Sequence, residues 1–264
     1  IIDGIDANVV DQITAAGCVL NKVEGMNINY LGFNNDVITD PEVRKALSQA
    51  VNVPELVESL YRGYATEATT ILPSFMPGYS DGITRPSYDP EAAQATLQEK
   101  GVTQIHMLAY TNPRPYNTAT GQTLAEAIQG YWAKVGVECT IDSYDWTTYK
   151  DKVNAGGYDV CLYGWNGDNG DPDNFMYLLA HEDPGMNVAH YNDEEYKQML
   201  AEAAALPNGD ERNAAYAAME QKLADECVWL PISHQESLSA YVSNVNNFIY
   251  HPTGNVFLSK TYKN

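Results

Sequence analysis

The spacing of hydrophobic positions changes period along this 264-residue chain. Short apolar runs carrying β-branched and aromatic side chains predict strands at Asn27–Phe33, Gln104–Tyr110, 137–142 and 158–163. Between them the period lengthens to that of a helix, over 118–134 and over a shorter stretch near 145–154. Three helix starts share one signature, an Asp able to accept from the free N–H groups of the first turn, followed by Pro at the first helical position. They are Asp40-Pro41, Asp89-Pro90 and Asp171-Pro172. Two helical stretches follow in succession, 193–206 and 210–226, before strand patterns at 228–233 and 237–242 and an irregular tail rich in Asn, Pro and Gly. Strands alternating with helices predict an α/β domain.

Composition narrows what such a domain does. With 44% hydrophobic and 19% charged residues the chain has enough apolar surface for a full core. Its 15 Lys and Arg against 35 Asp and Glu leave a formal net charge of -20, which repels a phosphate backbone, so no nucleic-acid partner is expected. The longest apolar stretches, 160–163 and 227–232, are far shorter than the ~20 residues that cross a bilayer. The opening Ile1-Ile2-Asp3-Gly4 has neither an initiator Met nor a basic-then-apolar leader, which reads as a processed protein or an excised piece. Cys18, Cys139, Cys161 and Cys227 lie far apart without a CxxC pair or a His at zinc-ligand spacing, so no metal is expected, and cysteine pairing stays open. No repeat or Ser/Gly linker marks a domain boundary.

Three motifs look chemical and are read otherwise. Gly78-Tyr79-Ser80-Asp81-Gly82 has the spacing of a nucleophile elbow, but Pro77 before it and Ile83-Thr84-Arg85-Pro86 after it supply neither the strand nor the helix that an elbow needs. Asp168, Asp171 and Asp173 resemble the start of a calcium loop, yet Gly170 falls at position three and Leu179 stands where a Glu is required. His106, His181, His190, His234 and His251 are scattered, and no catalytic residue is assigned. A carboxylate pair of the glycosidase type is defined by a separation in space that spacing in sequence does not supply, and a solvated acidic surface is the simpler reading. A hydrolase built on acids or on Ser80 remains the rival from another class.

Two loops are more informative, because each follows a predicted strand. Thr111-Asn112-Pro113-Arg114-Pro115-Tyr116-Asn117 comes after Gln104–Tyr110, and the segment from Gly164 to Pro172, with Trp165 and Asp168, comes after 158–163. If the two strands are parallel, both loops open on one edge of the sheet, where α/β proteins bind ligands. Arg114, held between two prolines, offers a planar fork to a carboxylate, and Asp168 can accept from an ammonium. Spacing alone favours plainer readings, with Arg and Asp solvated or paired to each other and Trp165 in the core.

At these residues the chain resembles the dipeptide/oligopeptide/nickel-binding family of ABC-importer solute receptors. The likeness runs from about Asn29 to the C-terminus and is carried by segments 29–34, 40–51, 88–93 and 156–160 in order. Gly164-Trp165-Asn166-Gly167-Asp168-Asn169-Gly170-Asp171-Pro172-Asp173-Asn174-Phe175 and Arg114-Pro115-Tyr116-Asn117 are especially similar to the dipeptide-binding branch. The resemblance implies a periplasmic-binding-protein-like (type II) lobe, a mixed sheet flanked by helices within a two-lobed receptor. Residues 1–18 would be a crossover or first-lobe remnant, 19–238 the second lobe, and 239–264 a tail returning to the first. It implies that Arg114 clamps a peptide's C-terminal carboxylate and Asp168 its α-ammonium, with Trp165 expected to pack nearby. It further implies an extracytoplasmic, non-enzymatic monomer, secreted or lipid-anchored, which needs no cofactor and delivers short peptides to an ABC permease. Glutathione, a nickel chelate or haem are the alternative solutes within the family.

Overall fold

The computed structural model describes residues 1–5 and 7–264. Its strands are β1 (Ile2–Asp3), β2 (Cys18–Glu24), β3 (Asn27–Phe33), β4 (Ala65–Glu67), β5 (Gln104–Tyr110), β6 (Glu138–Tyr144), β7 (Val160–Asn166) and β8 (Trp229–Val242), with four two-residue strands in the tail. The helices are α1 (Val10–Ala15), α2 (Pro41–Gln49), α3 (Val53–Tyr61), α4 (Pro90–Glu99), α5 (Gly121–Lys134), α6 (Trp146–Ala155), α7 (Asp173–Met176), α8 (Glu194–Ala205) and α9 (Asp210–Glu226).

The main sheet runs β1-β8-β3-β7-β5-β6, with β2 and β4 also paired to β8. β5 is parallel to both β6 and β7, whereas β3 is antiparallel to β7 and β8, so the sheet is mixed as expected. Every residue of β3 is buried, the polar Asn27 and Asn29 included, because a central strand covered on both faces has no solvent side. Tyr30 of β3 stacks on Trp229 of β8 with ring centroids 3.6 Å apart.

Local chemistry accounts for the helix starts. Asp40 accepts from the N–H of Glu42 at 2.9 Å and Asp89 from that of Ala92 at 3.0 Å, each with Pro at the first helical position. The third start departs from expectation. Asp171 accepts from Asp173 N–H at 2.9 Å, but Pro172 stands at the N-cap, and α7 lasts four residues before a 3-10 turn at Tyr177–Ala180. α3 was not foreseen; it begins at an Asn52 cap that accepts from Glu55 N–H at 3.3 Å.

The final pair of predicted strands is one strand. β8 passes through His234, Gln235 and Glu236 without turning, and its polar middle is satisfied inside the protein. Gln235 N–H donates to the Asn27 side chain at 2.7 Å, and that same amide donates back to the Gln235 carbonyl at 2.9 Å. Pro231 is tolerated because the β3 register shifts between Asn29 and Tyr30, beside it. The first half of β8 belongs to the main core, while Leu238 and Ala240 join a second small cluster with Ile5 and Val10.

Candidate ligand-binding site

Because β5 and β7 run parallel, the segments after Tyr110 and after Asn166 emerge on the same sheet edge. The first is a tight turn in which Arg114 and Asn117 exchange both backbone hydrogen bonds at 2.8 Å. Asn117 is fully buried: its side-chain oxygen accepts from the Tyr61 hydroxyl at 2.9 Å and from Ala119 N–H at 3.2 Å, and its amide donates to the Tyr110 hydroxyl at 3.0 Å. The turn is thereby tied to α3 and β5. The Tyr116 ring comes so close to β7 at Gly164 that an added Cβ would overlap it, so only glycine allows this approach. Burial raises the Tyr116 hydroxyl far above its ordinary titration range, and the guanidinium of Arg114 offsets part of the rise.

Arg114 itself sits half-buried with its guanidinium 4.0 Å from the ring centroid of Trp146. Its Nε is buried with no hydrogen-bond partner, and among the described residues it takes part in no ion pair. Stacked on an indole and in no ion pair with a described acid, the guanidinium can turn its terminal nitrogens to a ligand anion. It lines a cleft of about 530 Å³ together with Asn27, Thr118, Asn166, Glu236 and Tyr250.

The second segment starts later than expected. β7 runs to Asn166, so Trp165 is a strand residue paired with Ile28, and the loop proper opens at Gly167. Gly167 N–H donates to the Met26 carbonyl at 2.7 Å. Asp168 is exposed, its N–H donating to Asn174 Oδ1 at 2.9 Å while Asn174 Nδ2 donates to its Oδ2 at 3.3 Å. The half-buried Trp165 donates its indole N–H to the same Asn174 Oδ1 at 3.0 Å. The far side of the loop is pinned by Arg212 of α9, which bonds Asp171 at 2.8 Å with its guanidinium 4.8 Å from the Tyr216 ring centroid. Arg114 and Asn166 reach the cleft, whereas Trp165 and Asp168 are not among its lining residues.

Residues passed over in the sequence matter here. Trp146 follows the end of β6, the third parallel strand, and the rule that drew attention to the other two loops applied to it equally. Asn174 lay within the segment that carries the resemblance and just after the Asp171-Pro172 helix start, but its contacts to Asp168 and Trp165 had no signature of their own.

Other chemistry is unsupported by the surroundings. Ser80 lies in a turn with no regular element on either side and no histidine bonded to it among the described residues. The Cys139 and Cys161 thiols are pushed up to about 12 by burial, which suppresses the nucleophilic thiolate, and all four cysteines are free. Burial holds His234 down to about 4, so this histidine is neutral at physiological pH. Among the described residues no three His, Cys, Asp or Glu side chains gather to hold a metal, and no helix is long and apolar enough to cross a membrane.

Comparison with known proteins agrees with this architecture. The chain belongs to the bacterial extracellular solute-binding proteins, family 5, whose middle region it matches over residues 2–187. It is 32% identical to the dipeptide-binding protein of Escherichia coli strain K12 over 243 residues, 89% of this chain and 45% of that protein. It is 31% identical to heme-binding protein A of Haemophilus influenzae over 247 residues, 89% of this chain and 44% of that protein. Among solved structures, a dipeptide binding protein from Pseudoalteromonas sp. SM9913 in complex with Met-Leu superposes with a TM-score of 0.86 at 24% identity, covering 98% of this chain and 53% of that one. The chain thus spans about half the length of the relatives it matches.

Proposed function

We propose that this chain is the ligand-gripping lobe of an extracytoplasmic receptor that captures short peptides, dipeptides above all, by their charged termini and passes them to an ABC permease. The observation that carries the reading is Arg114, a guanidinium with a buried Nε, stacked on Trp146 and, among the described residues, in no ion pair, at a cleft of about 530 Å³. Asp168, on the adjoining loop, is the acceptor for the ammonium end. The termini of a dipeptide lie roughly 6–7 Å apart at about 3.3 Å per extended residue, so fixing both charges selects length and leaves side chains free to vary. Trp165 contributes its ring beside Asp168.

In this reading residues 19–238 form the second lobe, and segments 1–18 and 239–264 belong to the crossovers and the first-lobe side. Exposed Ile1, Ile2, Val242, Ile249, Phe257, Leu258 and Tyr262 fall within those segments, as surfaces meeting another lobe would. The receptor works as a monomer by closure, without catalysis or cofactor, and is held outside the cytoplasm by secretion or a lipid anchor.

Haem is the second reading, because the heme-binding relative is nearly as similar as the dipeptide-binding one and a propionate would satisfy Arg114 as a peptide carboxylate does. Tryptophan fluorescence separates the two. Saturable change on adding glycyl-leucine, undisturbed by haemin, is the expected result. Saturable haemin binding that the dipeptide does not displace overturns the peptide assignment.

A further inference from the structure

The Asp168 loop has glycines on both sides, Gly167 and Gly170, and its carboxylate is exposed. Such a loop does not by itself hold a side chain in one direction. One neighbour supplies what the loop lacks. Asn174 Oδ1 accepts from both the Trp165 indole N–H at 3.0 Å and the Asp168 backbone N–H at 2.9 Å. Those two groups only donate, so the amide oxygen must face them and the amide nitrogen must face the Asp168 carboxylate, 3.3 Å from its Oδ2. Asn174 is followed in α7 by Phe175 and Met176, both fully buried, which anchor the helix that carries it.

We propose that Asn174 is the positioning residue of the amine-recognising corner: one side-chain amide fixes the backbone and carboxylate of Asp168 and the plane of Trp165 together. This rests on the reading of Asp168 as the ammonium acceptor. With Oδ2 engaged by Asn174, Oδ1 is the oxygen turned to the ligand. With its N–H consumed, Trp165 offers an incoming peptide its ring rather than a donor. Aspartate at 174 would keep both acceptor contacts but set a like charge against Asp168, and leucine would remove all three contacts.

The test uses the whole chain, labelled with nitrogen-15, titrated with glycyl-leucine and with its N-acetyl form, in the parent and in Asn174→Leu. The parent is expected to prefer the free amine, and Asn174→Leu to lose about tenfold of that preference, the effect of one charged hydrogen bond. It should also shift the Trp165 indole and Asp168 amide signals while the signal of Arg114 Nε–H still responds to peptide. Asn174→Asp should restore the indole and amide signals, which a general loosening of the loop would not allow. Equal preference in variant and parent overturns the role of Asn174 and leaves Asp168 as the anchor; no preference in the parent overturns the anchor, and Asn174's role with it. If Asn174→Leu does not fold, Asn174→Ala takes its place, and an unchanged preference for the free amine there overturns the proposal.

Discussion

In the proposed function Arg114 is the residue on which recognition turns, and its setting explains why a lysine would not replace it. The guanidinium is planar, lies against Trp146 at 4.0 Å and presents several donors in one plane, whereas an ammonium offers a single point charge on a flexible stem. Arg114→Ala should cost about 2–5 kcal/mol of dipeptide binding in the closed receptor, because the ligand carboxylate is then buried without a partner. Arg114→Lys should recover only a minor part of it. Calorimetric losses below about 0.5 kcal/mol, the size of an ordinary surface substitution, would remove Arg114 from the site. The roles proposed for Arg114 and Asp168 came from the resemblance; that the two lie on loops that follow strand ends of one sheet edge was legible in the sequence. Their partners were not, since Trp146 and Asn174 acquire meaning only once β6 and α7 are placed beside the two loops.

At the scale of elements, α9 shows how one buried carboxyl governs an adjoining segment. Glu220 accepts from Leu72 N–H at 2.9 Å, and its second oxygen and Trp229 Nε1 are both buried without a partner. Burial raises the carboxyl to about 7. A carboxyl raised on folding binds its proton more tightly in the native state, so its contribution is fully present below about pH 4.5 and is lost as pH climbs through about 7. Glu220→Gln should therefore be more stable than the parent at pH 8, by about 3 kcal/mol, and equal to it near pH 4, as read by urea melts. A difference independent of pH would contradict this account.

Element boundaries show where sequence reading stops. Asp40-Pro41 and Asp89-Pro90 announced their helices because cap and proline act within one turn. The continuity of β8 was hidden because His234-Gln235-Glu236 resembles a turn until Asn27, more than 200 residues earlier, closes on Gln235. The same holds for Trp165, whose strand placement depends on pairing with Ile28.

For the whole molecule, the mixed sheet brings two loops separated by some fifty residues of sequence to one edge, and against a formal charge of -20 an Arg114 with no ion pair among the described residues is an unusual feature at the cleft. Central to the account is that the chain reads both termini of a short peptide. The most direct measurement follows the Arg114 Nε–H and Trp165 indole signals by NMR while the chain is titrated with a free dipeptide, its C-terminal amide and its N-acetyl form. NMR detects even the weak binding expected of a single lobe. The account predicts that amidation abolishes the response at Arg114, that acetylation abolishes it at Trp165, and that only the free dipeptide moves both. Identical responses to all three forms, or none at either residue, would contradict it.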